Sequence, residues 1–220
     1  MTLRPLSASQ KDWLEKASRE CEANVAGASG YLAERGLAPC IETHRLGLVP
    51  SNPETENLIQ YAGRLAIPYI GPEGRVYEIA FRALGDQDAK YLNTNGMQKR
   101  LFNLQALVKA DDVISITEGQ LDALSLEVAG LHAVGVPGVS NWRPHHSRLF
   151  AGFSEVLVWA DNDTPGRDFA NRLTREMPQA RVIMTQLEDV NALLVSEGVE
   201  GIHYACGGIG PGAADNPYPF

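Results

Sequence analysis

An α/β protein, with a mainly parallel sheet flanked by helices and a smaller mixed α+β segment before it, is what three features of the sequence predict. First, from Val113 onward apolar runs alternate with helix-length segments, the order that builds a parallel sheet covered by helices. Second, the acidic groups Glu118–Asp122, Asp161–Asp163 and Glu188-Asp189 each fall where such a run ends or soon after it. Third, before residue 110 helical spacing gives way to two strand-like runs around a turn. The expected boundaries are 1–110 for the N-terminal subdomain, 111–202 for the parallel-sheet domain and 203–220 for a disordered tail.

The first element is a helix near 9–26, because Trp13, Leu14, Ala17, Cys21 and Val25 recur at helical spacing. Ser7 or Ser9 caps its start, and Gly27 and Gly30 break it. A short helix over 29–35 stops at Gly36, and 39–44 adds a further turn. Residues 65–70 and 76–81 read as strands around the Gly71-Pro72-Glu73-Gly74 turn. That hairpin brings Arg64 and Arg82, at its outer ends, together. Strands then follow near 113–117, 132–136, 155–160 and 181–185, with helices near 120–129, 144–150, 165–176 and 189–197. Pro165 suits the first turn of its helix. The tail is rich in Gly, Pro and Ala and has too little apolar surface to order itself.

Carboxylates gathered at strand ends repel one another unless a cation lies between them. Hard oxygen donors suit Mg²⁺ or Mn²⁺, and such sites serve chemistry on phosphates. Each acidic group also has a plainer reading, as a partner for the positive end of the helix that follows. Cys21, Cys40 and Cys206 are far apart in sequence, which argues against a zinc site and a disulfide framework. His145-His146 reads as a surface pair at a helix start, and Trp142 and Trp159 as packing residues. No apolar run is long enough to span a bilayer, and the N-terminus lacks a secretion pattern, so the expected setting is the cytoplasm. The net charge of −8 is unevenly spread. Residues 60–110 hold seven Lys or Arg against four Asp or Glu, whereas residues 111–200 hold six against fourteen. A basic stretch before an acidic one fits a nucleic-acid enzyme, and it also fits ordinary surface charge.

Several segments carry a resemblance to a known family. Thr117-Glu118-Gly119-Gln120-Leu121-Asp122 resembles the glutamate motif of the Toprim domain, and Asp161-Asn162-Asp163 its Asp-x-Asp motif. Thr164-Pro165-Gly166-Arg167 is similar to the helix start that follows. Glu188-Asp189-Val190-Asn191 resembles the last acidic motif, with Asn191 where a second aspartate often stands. Upstream, Tyr31–Leu37, Leu46–Pro50, Gly63–Pro68, Ala80–Arg82, Lys90–Asn93 and Lys99–Leu104 resemble the N-terminal catalytic subdomain of DnaG-type DNA primases. The resemblance spans roughly 28–200 and includes the compact primases of bacteriophages.

The resemblance implies RNA primer synthesis on a single-stranded DNA template from ribonucleoside triphosphates. Glu118, Asp161 and Asp163 would be catalytic and would hold one or two Mg²⁺ or Mn²⁺ ions, with Asp122 and Asp189 assisting. Asp122 reads equally well as a residue that orients its helix. Glu118 is either a metal ligand or a proton-transfer group. Arg64, Arg82, Lys90, Tyr91, Asn93, Lys99 and Arg100 would contact template or nucleotide, lining a groove beside the metals. No zinc is expected, since the cysteine set of the family's template-reading module is absent. A replicative helicase or a separate zinc module would then be a partner, no membrane would be involved, and the site of action would be a bacterial cytoplasm if the chain is viral. A Toprim-type nuclease and a non-catalytic nucleic-acid-binding accessory protein are the competing readings.

Overall fold

A computed structural model describes residues 5–95 and 99–207. The chain divides into two compact units, one through residue 100 and one from residue 101. Each has its own apolar core.

The first unit opens with α1 (Ala8–Ala23). Ser7 starts it through a capping box: its hydroxyl accepts the Gln10 N–H at 3.2 Å, and its own N–H donates to Gln10 Oε1 at 2.9 Å. Leu14, Ala17, Ser18 and Cys21 form the buried stripe. The helix ends three residues before the expected 26, because the chain tightens into a 3₁₀ turn over Val25–Ala28. The short helices α2 (Ser29–Glu34) and α3 (Cys40–Thr43) follow. Gly36, just past α2, has a positive φ of 70°, which glycine adopts at no steric cost.

Four antiparallel strands, β1 (Gly47–Leu48), β2 (Leu65–Ile70), β3 (Val76–Arg82) and β4 (Tyr91–Asn93), form a sheet in sequence order. The predicted hairpin is β2–β3, and Leu65 pairs with Arg82. β4 has no counterpart in the sequence reading, which treats Lys90–Asn93 only as a motif. It pairs Tyr91 with Arg82 and Asn93 with Ala80. Side chains alternate across strands. Ile79 and Phe81 therefore pack in the apolar core with Leu14, Ala17 and Cys21 of α1, with Leu92 against it, while Glu78, Arg82, Tyr91 and Asn93 share the other face.

The second unit runs through α4 (Ala106–Lys109), β5 (Val113–Thr117), α5 (Gln120–Val128), β6 (Ala133–Gly135), β7 (Glu155–Ala160), α6 (Thr164–Glu176), β8 (Ala180–Met184) and α7 (Val190–Ala205). Its four strands are parallel in the order β6-β5-β7-β8. β5 and β7 are the central pair, and residues 156–160 of β7 are buried throughout, as a strand covered on both faces requires. α5 is buried from Gln120 to Leu126. Trp142 and Trp159 are fully buried, and their indole N–H groups donate to Glu176 and to Ser115.

Two further differences from the expectation lie in the second unit. The segment 144–150 is a 3₁₀ helix rather than an α-helix. The final helix, expected to end at 197, continues to Ala205 past a kink at Gly198, whose φ of 72° is non-helical. Residues 203–205, assigned to the disordered tail, are therefore helical. Residues 208–220 of that tail lie outside the described residues. Among the described residues no helix is long and apolar enough to cross a membrane. Cys21, Cys40 and Cys206 are buried free thiols.

Candidate active site

The strand order of the second unit creates a switch point. From β5 the chain passes through α5 to β6 on one side, and from β7 it passes through α6 to β8 on the other. A crevice opens where two such connections diverge at the carboxyl edge of a parallel sheet. Glu118 directly follows β5, and Asp161 directly follows β7, its neighbour.

The two are joined: Glu118 Oε1 accepts the Asp161 backbone N–H at 2.9 Å. Gly166, in the first turn of α6, packs against this pair. A Cβ there would stand 2.6 Å from Glu118 Oε1 and would also strike the Asp161 carbonyl. Asp163 is the N-cap of α6, its Oδ1 accepting the Gly166 N–H at 2.7 Å. Asp189 plays the same part for α7, accepting the Ala192 N–H at 2.7 Å. Asp122, on the first turn of α5, is buried, and its Oδ1 accepts the Asn191 N–H at 3.2 Å. Asn191 is itself buried and donates from Nδ2 to Ser125 Oγ at 2.9 Å, tying α7 to α5. At position 191 the side chain thus holds the fold together.

These carboxylates feel one another. Burial, then Asp189 and Asp161, pushes Asp122 up to about 7. Burial, then Glu118, Asp189, Asp163 and Glu188, pushes Asp161 up to about 7. Glu118 is raised by burial and by Asp163 and Asp122, against the hydrogen bond from Asp161. A set of mutually repelling acids along one sheet edge suits a hard divalent cation by donor chemistry. It is not a ready coordination shell, however. Among the described residues no three Asp, Glu, His or Cys side chains gather closely enough to hold a metal ion. Glu118, Asp163, Asp189 and Asp122 each accept a backbone N–H with one oxygen. By chemistry, a set of carboxylate oxygens fits Mg²⁺ or Mn²⁺.

The basic residues singled out in the sequence belong to the first unit. Arg64 is only 7% exposed and donates from Nη1 to the Ala89 carbonyl at 2.7 Å. It pins the chain just before Lys90. Arg82 lies between two phenols, Nε donating to Tyr31 Oη and Nη1 to Tyr91 Oη, each at 2.6 Å. Asn93 donates from Nδ2 to Glu78 Oε1 at 2.8 Å. Lys90 and Lys99 are exposed. Arg100 is half-buried, its guanidinium 5.8 Å from the centre of the Tyr77 ring.

Sequence reasoning missed Tyr31 and Glu78. In the sequence Tyr31 belongs to a helix in the Tyr31–Leu37 segment that resembles the primase subdomain, with no role of its own. Glu78 carries a signal, an acid in the middle of an apolar strand. It is wholly buried, and Oε2 has no partner among the described residues. Its carboxyl is pushed up to about 7 by burial, opposed by hydrogen bonds from Asn93 and the Arg100 backbone and by the charges of Arg100 and Lys99.

Comparison with known proteins bears on this arrangement. A family model described as Toprim-like matches residues 115–194, which contain the glutamate, Asp-x-Asp and last acidic motifs. The Gene 57 protein of Mycobacterium phage D29 is 41% identical over 147 residues, covering 64% of this chain and 97% of that protein. A DNA primase of Pseudomonas putida is 28% identical over 172 residues, covering 70% of this chain. The match spans only 26% of the length of that primase. Among solved structures, the RNA polymerase domain of Mycobacterium tuberculosis primase DnaG, in complex with a double-stranded DNA oligomer bearing a 6-nucleotide overhang, superposes with a TM-score of 0.74. That likeness covers 89% of this chain and 78% of that one at 22% identity, and it speaks to fold.

Proposed function

The chain belongs to the family of the Gene 57 protein of Mycobacterium phage D29 and has the fold of the DnaG catalytic core with its Toprim half, and from that premise we propose that it is a primase catalytic core making RNA primers on single-stranded DNA. The observation that carries this reading is the pairing of Glu118 with Asp161 at the switch point of the parallel sheet, where phosphate-bearing ligands collect.

In the proposed reaction, a 3′-hydroxyl on the growing primer attacks the α-phosphorus of an incoming ribonucleoside triphosphate. The new bond is a phosphodiester, the bond to the β-phosphate breaks, pyrophosphate leaves, and the hydroxyl proton passes to water or, where Glu118 is the proton-transfer group, to its carboxylate. Bound Mg²⁺ or Mn²⁺ supplies charge stabilisation on the phosphate oxygens. Glu118, Asp161 and Asp163 are the residues proposed to hold it, with Asp122 and Asp189 beside them. The raised carboxyls of Glu118 and Asp161 are what a cation site looks like electrostatically without its cation. Arg64, Arg82, Lys90, Lys99 and Arg100 are proposed to hold phosphates of template and nucleotide, with Tyr91 and Asn93 beside them. Arginine suits this through its planar fork, lysine as a point charge. A replicative helicase and a separate template-reading zinc module are proposed partners. The proposed setting is a bacterial cytoplasm.

The test is primer synthesis on single-stranded DNA with labelled ribonucleotides and Mg²⁺ or Mn²⁺. Products that lengthen only with template and the complementary nucleotides support the primase reading. Shortening of the template without added nucleotides supports a nuclease instead. Binding without either reaction supports an accessory role.

A further inference from the structure

Arg82 is held by two tyrosine hydroxyls. Arg45, Arg172 and Arg181 each pair with carboxylates. Arg82 has no carboxylate partner among the described residues. Two neutral phenols hold it instead.

One phenol follows from strand register: Tyr91 on β4 is directly opposite Arg82 on β3. The other comes from a separate element, Tyr31 on α2. The guanidinium carbon is 5.1 Å from the Tyr91 ring centre and 5.9 Å from the Tyr31 ring centre. A guanidinium has five N–H donors. The phenols take one on Nε and one on Nη1, leaving three.

The chemistry of the holders matters. A carboxylate would fix the side chain and also neutralise it. A phenol fixes it and leaves the full positive charge for another anion. Restraining the side chain in advance lowers the entropy lost when a ligand binds. A half-buried guanidinium with three donors left and no counter-charge is built to receive a forked anion, and phosphate is the one that matches its geometry.

We propose that Tyr31 is a positioning residue that aims Arg82 at a phosphate group of a bound nucleic-acid strand or nucleotide. The proposal rests on the reading of the chain as a nucleic-acid enzyme and adds a residue that no motif singles out for this task.

The test measures binding of the full chain to a labelled oligothymidylate and, separately, to ATP, across a range of salt. Tyr31→Phe keeps the ring and removes the hydroxyl. It is expected to weaken binding of one of these probes by about three- to tenfold, the net worth of a typical hydrogen bond. If the phosphate belongs to the strand, Arg82→Ala lowers the slope of log affinity against log salt by about 0.7, and Tyr31→Phe lowers it part of the way. If the phosphate belongs to the nucleotide, ATP affinity falls and the strand slope stays. In the Arg82→Ala background, Tyr31→Phe should change neither probe. Equal losses in both backgrounds would mean that Tyr31 acts only on the fold, and unchanged binding would mean that it aims nothing. Either result overturns the proposal while wild-type binding keeps the broader reading alive. If the wild type binds neither probe, both fail together.

Discussion

Glu118 accepts the backbone N–H of Asp161 at 2.9 Å, across 43 residues of sequence. This bond joins the ends of two neighbouring parallel strands, so the acid of one motif sets the backbone of the next. The same oxygen lies where a Cβ on residue 166 would have to go.

Gly166→Ala therefore tests how tightly this corner is packed. Inserting a methyl into a filled site costs about 1–3 kcal/mol. We expect a lower thermal midpoint and lower activity, since the displaced groups are Glu118 and Asp161. A variant as stable and active as the wild type would show that the corner yields freely.

Asp163 and Asp189 have two tasks that substitution can separate. Asparagine caps a helix about as well as aspartate, while alanine costs about 1 kcal/mol. Asp163→Asn and Asp189→Asn should keep the urea midpoint and lose Mg²⁺-dependent activity, whereas the alanine variants lose both. Full activity in the asparagine variants would leave these residues as caps alone.

Glu78 predicts a pH-dependent stability. Its folded value, about 7, lies above the ordinary 4.5. Below pH 4.5 the carboxyl is protonated folded and unfolded, so it costs nothing. Between about 4.5 and 7 the unfolded chain ionises first, so this group removes stability as pH rises, and above 7 the loss is complete. The loss is of order 3 kcal/mol, at 1.4 kcal/mol per unit. Glu78→Gln keeps an acceptor for Asn93 and should be more stable than wild type at pH 8, with the gain gone near pH 4. Urea unfolding at the two pH values measures this. An equal difference at both would mean that Glu78 does not ionise as proposed.

Much of the fold was legible because its signals are local. Apolar runs at 113–117 and 155–160, each followed by an acid, locate β5, β7 and the ends where Glu118 and Asp161 sit. The hairpin was legible from Gly71–Gly74 between two apolar stretches. β4 was not, since three residues are too few for a period and their pairing with β3 is a long-range fact. Arg64 shows the same limit: a basic residue in a basic segment reads as a ligand contact, and its bond to the Ala89 carbonyl, 25 residues on, is visible only in the fold. The acidic motifs name their residues but not the second task of each oxygen. Capping by Asp163 and Asp189 is set by the helix that follows. Tyr31 escaped because its partner is 51 residues away.

The central claim is that Glu118 and Asp161 hold a divalent cation together. Electron paramagnetic resonance of added Mn²⁺, which counts bound ions directly, tests it best. We predict one or two bound Mn²⁺ per wild-type chain, and affinity at least about tenfold weaker in Glu118→Gln and in Asp161→Asn, with folding unchanged by circular dichroism. Mn²⁺ binding of wild-type strength in both variants would contradict the account.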